Sequence, residues 1–203
     1  MRGTCRLIGT AIATLAMATA ITAGVLGADV AHTRADADQM LQKIAVITTN
    51  GLAAKPAPRN TTVTEREVNS FLAFHARTEL PAGVMQPAIT IAPAGRLTGS
   101  AIVDLDQVRR SRKDAGFATS LLTGRLPVQV GGILRTSNGV GKFELQEAWV
   151  SSIPVPKAVL QQIVAHYSST PDSPGGIDLD EPFALPVSIR EIRTGQGQAV
   201  VVQ

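Results

Sequence analysis

Three pairs of runs in which apolar and polar residues alternate follow one another in the chain after residue 88. The paired runs are 89–91 with 97–105, 126–134 with 143–149, and 185–190 with 198–202. Alternation with a period of two is typical of strands that have one wet face. The turns between the runs contain Ala94-Gly95, Asn138-Gly139 and Gly195-Gln196-Gly197, and Asn-Gly in particular favours a tight hairpin. The sequence therefore predicts a long antiparallel sheet built from hairpins.

Two amphipathic helices are predicted beside these strands. Thr64-Glu65-Arg66-Glu67 fits a capping box and opens a helix that ends before Pro81. Its apolar face is Val68, Phe71, Leu72 and His75. The second helix begins near Pro156 and carries the apolar stripe Val159, Leu160, Ile163, Val164 and Tyr167. The predicted fold class is α+β, with both helices packed on the sheet.

The N-terminus carries an export signal. Arg2 and Arg6 precede a segment of 22 uncharged residues, 7–28, which is typical of a signal peptide or a signal anchor. Length favours a retained anchor, whereas the high content of Ala, Thr and Gly favours cleavage, with candidate sites after Ala20 and Gly27. We expect an exported protein, periplasmic or otherwise extracytoplasmic, and inner-membrane anchored if residues 7–28 are retained.

The predicted domains are a signal or anchor at 1–28, a linker with a short helix at 29–60, and one α+β domain at 61–203. The linker is rich in Ala, Thr, Asp and Pro. Within it, the helical spacing of Met40, Leu41, Ile44 and Ile47 predicts a short helix that ends at Asn50-Gly51.

Composition narrows the function. The chain has 19 basic and 16 acidic residues, and two of the basic ones lie in the export signal, which leaves a net charge of +1 beyond it. Aromatic residues make up 3% of the chain. A nucleic-acid interface needs a clustered basic face and stacking aromatics, so no nucleic-acid partner is expected. The single cysteine, Cys5, lies before the apolar segment, so the exported part has no disulfide and no thiol nucleophile.

The residues that could carry chemistry are few. His75 and His166 lie on separate predicted helices without a second ligand at metal-binding spacing. Asp104 and Asp106 could hold a cation, as could Asp178 and Asp180, but no calcium-loop pattern surrounds either pair, and a solvated strand face and a polar loop are the favoured interpretations. No nucleophile elbow is present. We expect a protein that is not an enzyme and holds no metal or cofactor.

One basic cluster lies close to apolar residues. Arg109, Arg110, Arg112 and Lys113 are followed by Phe117, a combination that a peripheral contact with anionic lipid uses. These five residues are the candidate membrane contact, and a solvated loop is the favoured interpretation of the cluster.

Three phrases together carry a family resemblance: Thr64-Glu65-Arg66-Glu67-Val68-Asn69, Gly124-Arg125-Leu126-Pro127-Val128 and Ile153-Pro154-Val155-Pro156-Lys157. Residues 61–203 resemble a group of uncharacterised exported bacterial proteins. More distantly they are similar to envelope proteins of the YpmS and LmeA type and to the tubular lipid-binding (TULIP) superfamily. The resemblance implies an elongated, curved sheet curled around a helix, with an apolar groove that takes acyl chains.

The residues agree with that implication. The predicted inner face of the sheet is aliphatic and small: Gly99, Ala101, Val128, Val130, Gly132, Val187 and Val200. The candidate residues that line a groove are Phe71, Leu72, Val103, Val130, Leu160, Ile163 and Val187. The expected function is non-enzymatic binding or shuttling of a lipid or other hydrophobic ligand in the cell envelope. The alternative is an envelope interaction or structural module with a closed core, whose partners are other envelope proteins.

Overall fold

The computed structural model describes residues 32–78, 80–111, 124–168, 175–176 and 178–203, all within one compact unit, Ala31–Gln203. The helices are α1 (Arg34–Gly51), α2 (Glu65–Phe74), α3 (Leu105–Ser111) and α4 (Lys157–Ser168). The strands are β1 (Asn60–Thr64), β2 (Val84–Ile91), β3 (Arg96–Asp104), β4 (Arg125–Ser137), β5 (Val140–Val150), β6 (Ile153–Pro154), β7 (Phe183–Ala184), β8 (Glu191–Gly195) and β9 (Gln198–Val202). The predicted α+β class is confirmed. The export signal at 1–28 lies outside the described residues.

The strands form two antiparallel sheets where the sequence predicts one. The large sheet has the order β2-β3-β4-β5-β6, and β7 also pairs with β5. The small sheet has the order β1-β9-β8. The third predicted hairpin therefore belongs to the small sheet, and Val200 lies outside the face that contains Val130.

Turn chemistry explains which hairpins form as predicted. Ala94-Gly95 and Asn138-Gly139 both have positive φ and connect β2 to β3 and β4 to β5, as predicted. The predicted strand at 185–190 is wrong. Val187 and Ser188 have φ of 46° and 57°, and Ile189 N–H donates to the carbonyl of Pro186, so this stretch is a turn and β8 starts at Glu191.

The first helix is longer than the short helix that the sequence predicts. Thr33 caps it by accepting a hydrogen bond from the amide of Asp36. Ala37 and Ile47 are buried, and α1 packs against α2. The domain boundary predicted at residue 61 therefore falls inside the compact unit.

The buried core lies between α1, α2 and the small sheet. One cluster consists of Ile47, Ile189 and Val201. The other consists of Val63, Ile91 and Ala199, and Leu97 packs against it. Ile91 and Leu97 belong to the large sheet, so this core seals one end of that sheet.

The buried side chains of α2 are polar, while Val68 packs half-buried against the cluster of Val63, Ile91 and Ala199. The predicted capping box between Thr64 and Glu67 is present. The predicted apolar face, Val68, Phe71 and Leu72, is only half-buried, whereas Glu67, Asn69 and Ser70 are buried. These polar residues can be buried because each of their side chains has a hydrogen-bond partner in a neighbouring part of the fold.

The last helix, α4, contacts β5. The apolar stripe predicted to pack on the sheet is partly exposed, with Val159 at 45% and Ile163 at 44% of full exposure. Within the described ranges, none of the helices combines the length and hydropathy that crossing a membrane requires.

Candidate functional site

One face of the large sheet is aliphatic. Directly paired residues of antiparallel strands point to the same side of the sheet, and Gly99 pairs with both Ile89 and Val130. Ala101 pairs with Val128, and Val103 pairs with Leu126. We call this surface the aliphatic face, and its members on the two central strands are Leu97, Gly99, Ala101, Val103, Leu126, Val128 and Val130. The sequence predicts this surface from its alternation.

The aliphatic face is closed at one end and open at its centre. Leu97 packs against the buried core. Two residues further along β3, a Cβ built on Gly99 would meet no atom of the described chain within 4 Å. Val130, Ala101 and Val103 are half-buried. Since protein interiors are normally filled, an unfilled position amid aliphatic side chains is a candidate binding surface.

The opposite face of the same sheet holds a groove of about 690 Å³. Ser100, Gln129 and Trp149 form a row across β3, β4 and β5 in its floor. The full lining is Gln86, Ser100, Ala101, Ile102, Pro127, Val128, Gln129, Glu147, Trp149, Ser151 and Ser152. We call it the wet-face groove. The sequence alone does not reveal this groove; the one signal in it is the only tryptophan of the chain, which lies in an alternating run.

The structure distributes the seven predicted groove residues over several surfaces. Val103 and Val130 share the aliphatic face. Phe71 and Leu72 are half-buried on α2, and Leu160 and Ile163 lie on α4. Val187 packs against the cluster of Ile47, Ile189 and Val201, and so lies apart from the open centre of the aliphatic face.

The candidate membrane contact lies partly within the described chain. Arg109 and Arg110 belong to α3, and Arg110 is exposed. Of Arg109 only the backbone is described, and Arg112, Lys113 and Phe117 lie outside the described residues.

The candidate chemical residues have structural partners. Asp104 Oδ1 accepts from the amide of Gln107 at 3.0 Å, and Asp104 Oδ2 lies 3.5 Å from Arg125 Nε. These hydrogen bonds, the amide first, hold the pKa of Asp104 below its usual 3.8. Asp106 accepts from the amide of Gly124. Asp104 therefore caps α3. The sequence predicts Asp104 and Asp106 on one strand face, but β3 ends at Asp104 and Asp106 lies in α3.

The other candidates are also engaged. His75 Nε2 lies 2.7 Å from Asp38 Oδ1. Asp180 pairs with Lys157, and Asp178 Oδ1 accepts from the amide of Asp180. Of His166 only the backbone is described. Over the described ranges, no three His, Cys, Asp or Glu side chains are grouped so that they could hold a metal ion.

Helix α2 covers the outer edge of the large sheet with side chains. Asn69 Nδ2 donates to the carbonyl of Ile89, and Asn69 Oδ1 accepts from its amide. One helical turn earlier, Glu65 Oε2 accepts from the amide of Ile91. Four residues of helix rise about 6 Å and two residues of strand about 6.7 Å, so the spacings match. The polar pair Glu65 and Asn69, at i and i+4 in the helix that the capping box opens, is the sequence signal that could have revealed this contact.

Comparison of the chain with protein-family models, with curated proteins and with solved structures finds no match.

Proposed function

We propose that this protein is a non-enzymatic component of the cell envelope that binds or shuttles a lipid or another hydrophobic ligand on the aliphatic face. The observation that carries the proposal is the space at Gly99, between Ile89 and Val130, which no atom of the described residues fills. The proposal includes the elongated, curved sheet that the TULIP resemblance implies, and the delivery of the chain to the envelope by residues 1–28.

The aliphatic face suits an acyl chain physically. Gly99 and Ala101 are small, so a chain can lie close to the backbone of β3, while Val103 and Val130 flank it. The core at Leu97 closes one end of the path. Each methylene that leaves water contributes about 0.8 kcal/mol, so a chain of several methylenes gains enough to bind.

The partners of the titratable residues support binding rather than catalysis. Asp104 caps a helix, Asp106 accepts from a backbone amide, and His75 pairs with Asp38. These contacts leave the side chains in structural roles.

A membrane contact through the basic cluster fits the same function. Arg109, Arg110, Arg112 and Lys113 would attract anionic lipid by about 1 kcal/mol each near the surface, and Phe117 would add an apolar contact. Such a contact would bring the aliphatic face within reach of lipid.

Photocrosslinking of the full chain in expressing bacterial cells tests the proposal. Cells take up a fatty acid that carries a photoreactive group, and labelled peptides are then mapped by mass spectrometry. We expect label on peptides that contain Ala101, Val103 or Leu126. Gly99→Phe fills the open space and should remove most of that label, whereas Ser100→Phe, which points to the opposite face, should leave it.

The amount of folded protein is measured by circular dichroism for each variant. Ala101→Leu is a milder filling variant if Gly99→Phe fails to fold. Label confined to residues 7–28, or label that Ala101→Leu and Gly99→Phe leave unchanged, would contradict the proposal.

The second candidate function is an envelope interaction module with a closed core. Exposed apolar side chains around β5 favour it, above all Ile153 at 68% of full exposure, together with Val159 and Ile163. Under this alternative, wild type carries no fatty-acid label but forms a crosslink to another envelope protein. Ile163→Glu should abolish that crosslink.

A further inference from the structure

The wet-face groove has a neutral polar lining. Its hydrogen-bonding side chains are two amides and three hydroxyls: Gln86, Gln129, Ser100, Ser151 and Ser152. Of the described residues that line it, Glu147 alone is charged. Amides and hydroxyls each donate and accept hydrogen bonds, so the groove can satisfy a ligand that presents both functions.

Trp149 gives the groove an apolar surface with a fixed orientation. Its Nε1 donates to Glu147 Oε2 at 3.2 Å, and the residue is 37% exposed. The bond satisfies the one polar atom of the indole and engages the carboxylate. What Trp149 still offers a ligand is therefore apolar, and Ile102 and Pro127 add further apolar surface in the same lining.

The backbone at both ends of the groove adopts left-handed conformations. Gln86 has φ of 49° at the register shift of β2, and Ser151 and Ser152 have φ of 47° and 68° at the turn between β5 and β6. Such conformations are unfavourable for residues other than glycine and concentrate at functional sites. Here they occur where three polar side chains flank the row of Ser100, Gln129 and Trp149.

We propose that the wet-face groove binds a saccharide chain that carries no charge. A sugar ring presents hydroxyls around its rim and C–H groups on its faces, which matches amide and hydroxyl side chains beside an indole. Among the described residues that line the groove there is no Lys or Arg to attract phosphate, and Glu147 disfavours an anion. The groove lies on the face opposite the aliphatic face, Ala101 and Val128 belong to both linings, and the test of the groove does not use Gly99.

Intrinsic fluorescence tests the site directly because Trp149 is the only tryptophan of the chain. The full chain, in a detergent without a sugar headgroup, is titrated with cellotetraose, with tetraacetylchitotetraose and with tetragalacturonate. We expect a saturable shift of the emission for at least one neutral probe at or below the order of 10 mM, and no saturation with the anionic probe.

Two glutamine variants locate the binding. Gln129→Ala removes an amide from the groove and should weaken binding about fivefold, which corresponds to one hydrogen bond. Gln146→Ala removes an exposed amide of β5 outside the lining, and should change binding less than twofold by the same reasoning.

Three results would overturn the proposal: no saturable shift with either neutral probe, equal affinity in Gln129→Ala and wild type, or tighter binding of tetragalacturonate. Isothermal titration with Trp149→Ala checks the indole independently of fluorescence and should show no binding of the neutral probe. Neither the fluorescence titration nor the isothermal titration depends on Gly99. A negative result in both would therefore reject saccharide binding and leave the lipid-binding proposal to its own test.

Discussion

The core around the small sheet and the aliphatic face of the large sheet differ most clearly at two glycines. A Cβ built on Gly51, at the end of α1, would lie 1.8 Å from the carbonyl oxygen of Val187. A Cβ built on Gly99 would meet nothing within 4 Å in the described chain. In one region a single added methyl group would overlap a backbone carbonyl, and in the other no described residue occupies the space beside β3. The open space is therefore a local property of the large sheet and not a general looseness of the fold.

The packed region is also held by side chains that bind backbone. Gln203 Nε2 donates to the carbonyls of Ile47 and Val187. Thr136 Oγ1 donates to the carbonyl of Ile192 and accepts from its amide, which ties β4 to β8. Within the described chain, no buried side-chain nitrogen or oxygen lacks a hydrogen-bond partner.

Substitution of alanine for Gly51 and for Gly99 should give the largest difference in stability between the two regions. Gly51→Ala should destabilise the protein by about 3 kcal/mol or more, because the methyl group cannot avoid the carbonyl of Val187. Gly99→Ala should change the free energy of unfolding by less than about 1 kcal/mol, in the stabilising direction. Urea unfolding followed by circular dichroism measures both. Equal losses at the two positions would remove the contrast.

The tie between the two sheets should have an intermediate effect. Thr136→Val keeps the shape of the side chain but leaves the amide and carbonyl of Ile192 without their partner, which should cost about 2 kcal/mol. Thr136→Ser retains the hydroxyl and should lose less than half as much. Hydrogen exchange should show faster exchange of the Ile192 amide in the valine variant alone. Unchanged exchange there would mean that Thr136 does not hold β8.

Low pH should reduce the stability of the packed region by less than the substitutions at Gly51 and Thr136 do. Burial raises the pKa of Glu67, but hydrogen bonds from Lys43, at 2.6 and 2.7 Å, and from Thr64 outweigh it, so the pKa lies below the usual 4.5. A carboxylate with a lowered folded pKa adds stability above its unfolded pKa and loses it as pH falls through the folded value. Each pKa unit of lowering contributes about 1.4 kcal/mol.

Glu67→Gln tests this effect. The stability difference between wild type and the variant should be largest at neutral pH and should shrink as the pH falls below 4.5, the usual pKa of a glutamate. Glu181→Gln, at an exposed glutamate in a turn, is the control and should follow wild type at every pH. A difference for Glu67→Gln that stays constant down to acid unfolding would show that the contact with Lys43 adds no proton-linked stability.

Local chemistry explains what the sequence predicts well. The capping box at Thr64 and the Asn138-Gly139 turn involve neighbouring residues only, so their pattern determines their geometry. The stretch 185–190 shows where a pattern is ambiguous. Leu185, Val187 and Ile189 alternate like a strand, but the same spacing serves a turn whose apolar side chains face the core. Only the contacts of the folded chain distinguish the two.

Only part of the candidate site can be predicted from the sequence. Alternation places Gly99, Ala101, Val128 and Val130 on one face, because side-chain direction in a strand is local. The alternation does not say which other elements cover that face, so the opening at Gly99 cannot be inferred from the sequence. The wet-face groove depends on the register of three strands, which brings Ser100, Gln129 and Trp149 into a row. Register between distant segments is a tertiary property.

The pairing of β1 with β9 sets an order of events for the newly made chain. Asn60 pairs with Val202, so the small sheet cannot close until 142 further residues have been added. At the usual pace of synthesis, about 5 to 20 residues per second, the delay is roughly 7 to 28 s. During this interval α1 lacks Ile189 and Val201, which pack against Ile47, whereas the hairpins of the large sheet, closed by short turns, can already form. The region with the open aliphatic face is thus the first that can fold, and the densely packed one completes the molecule.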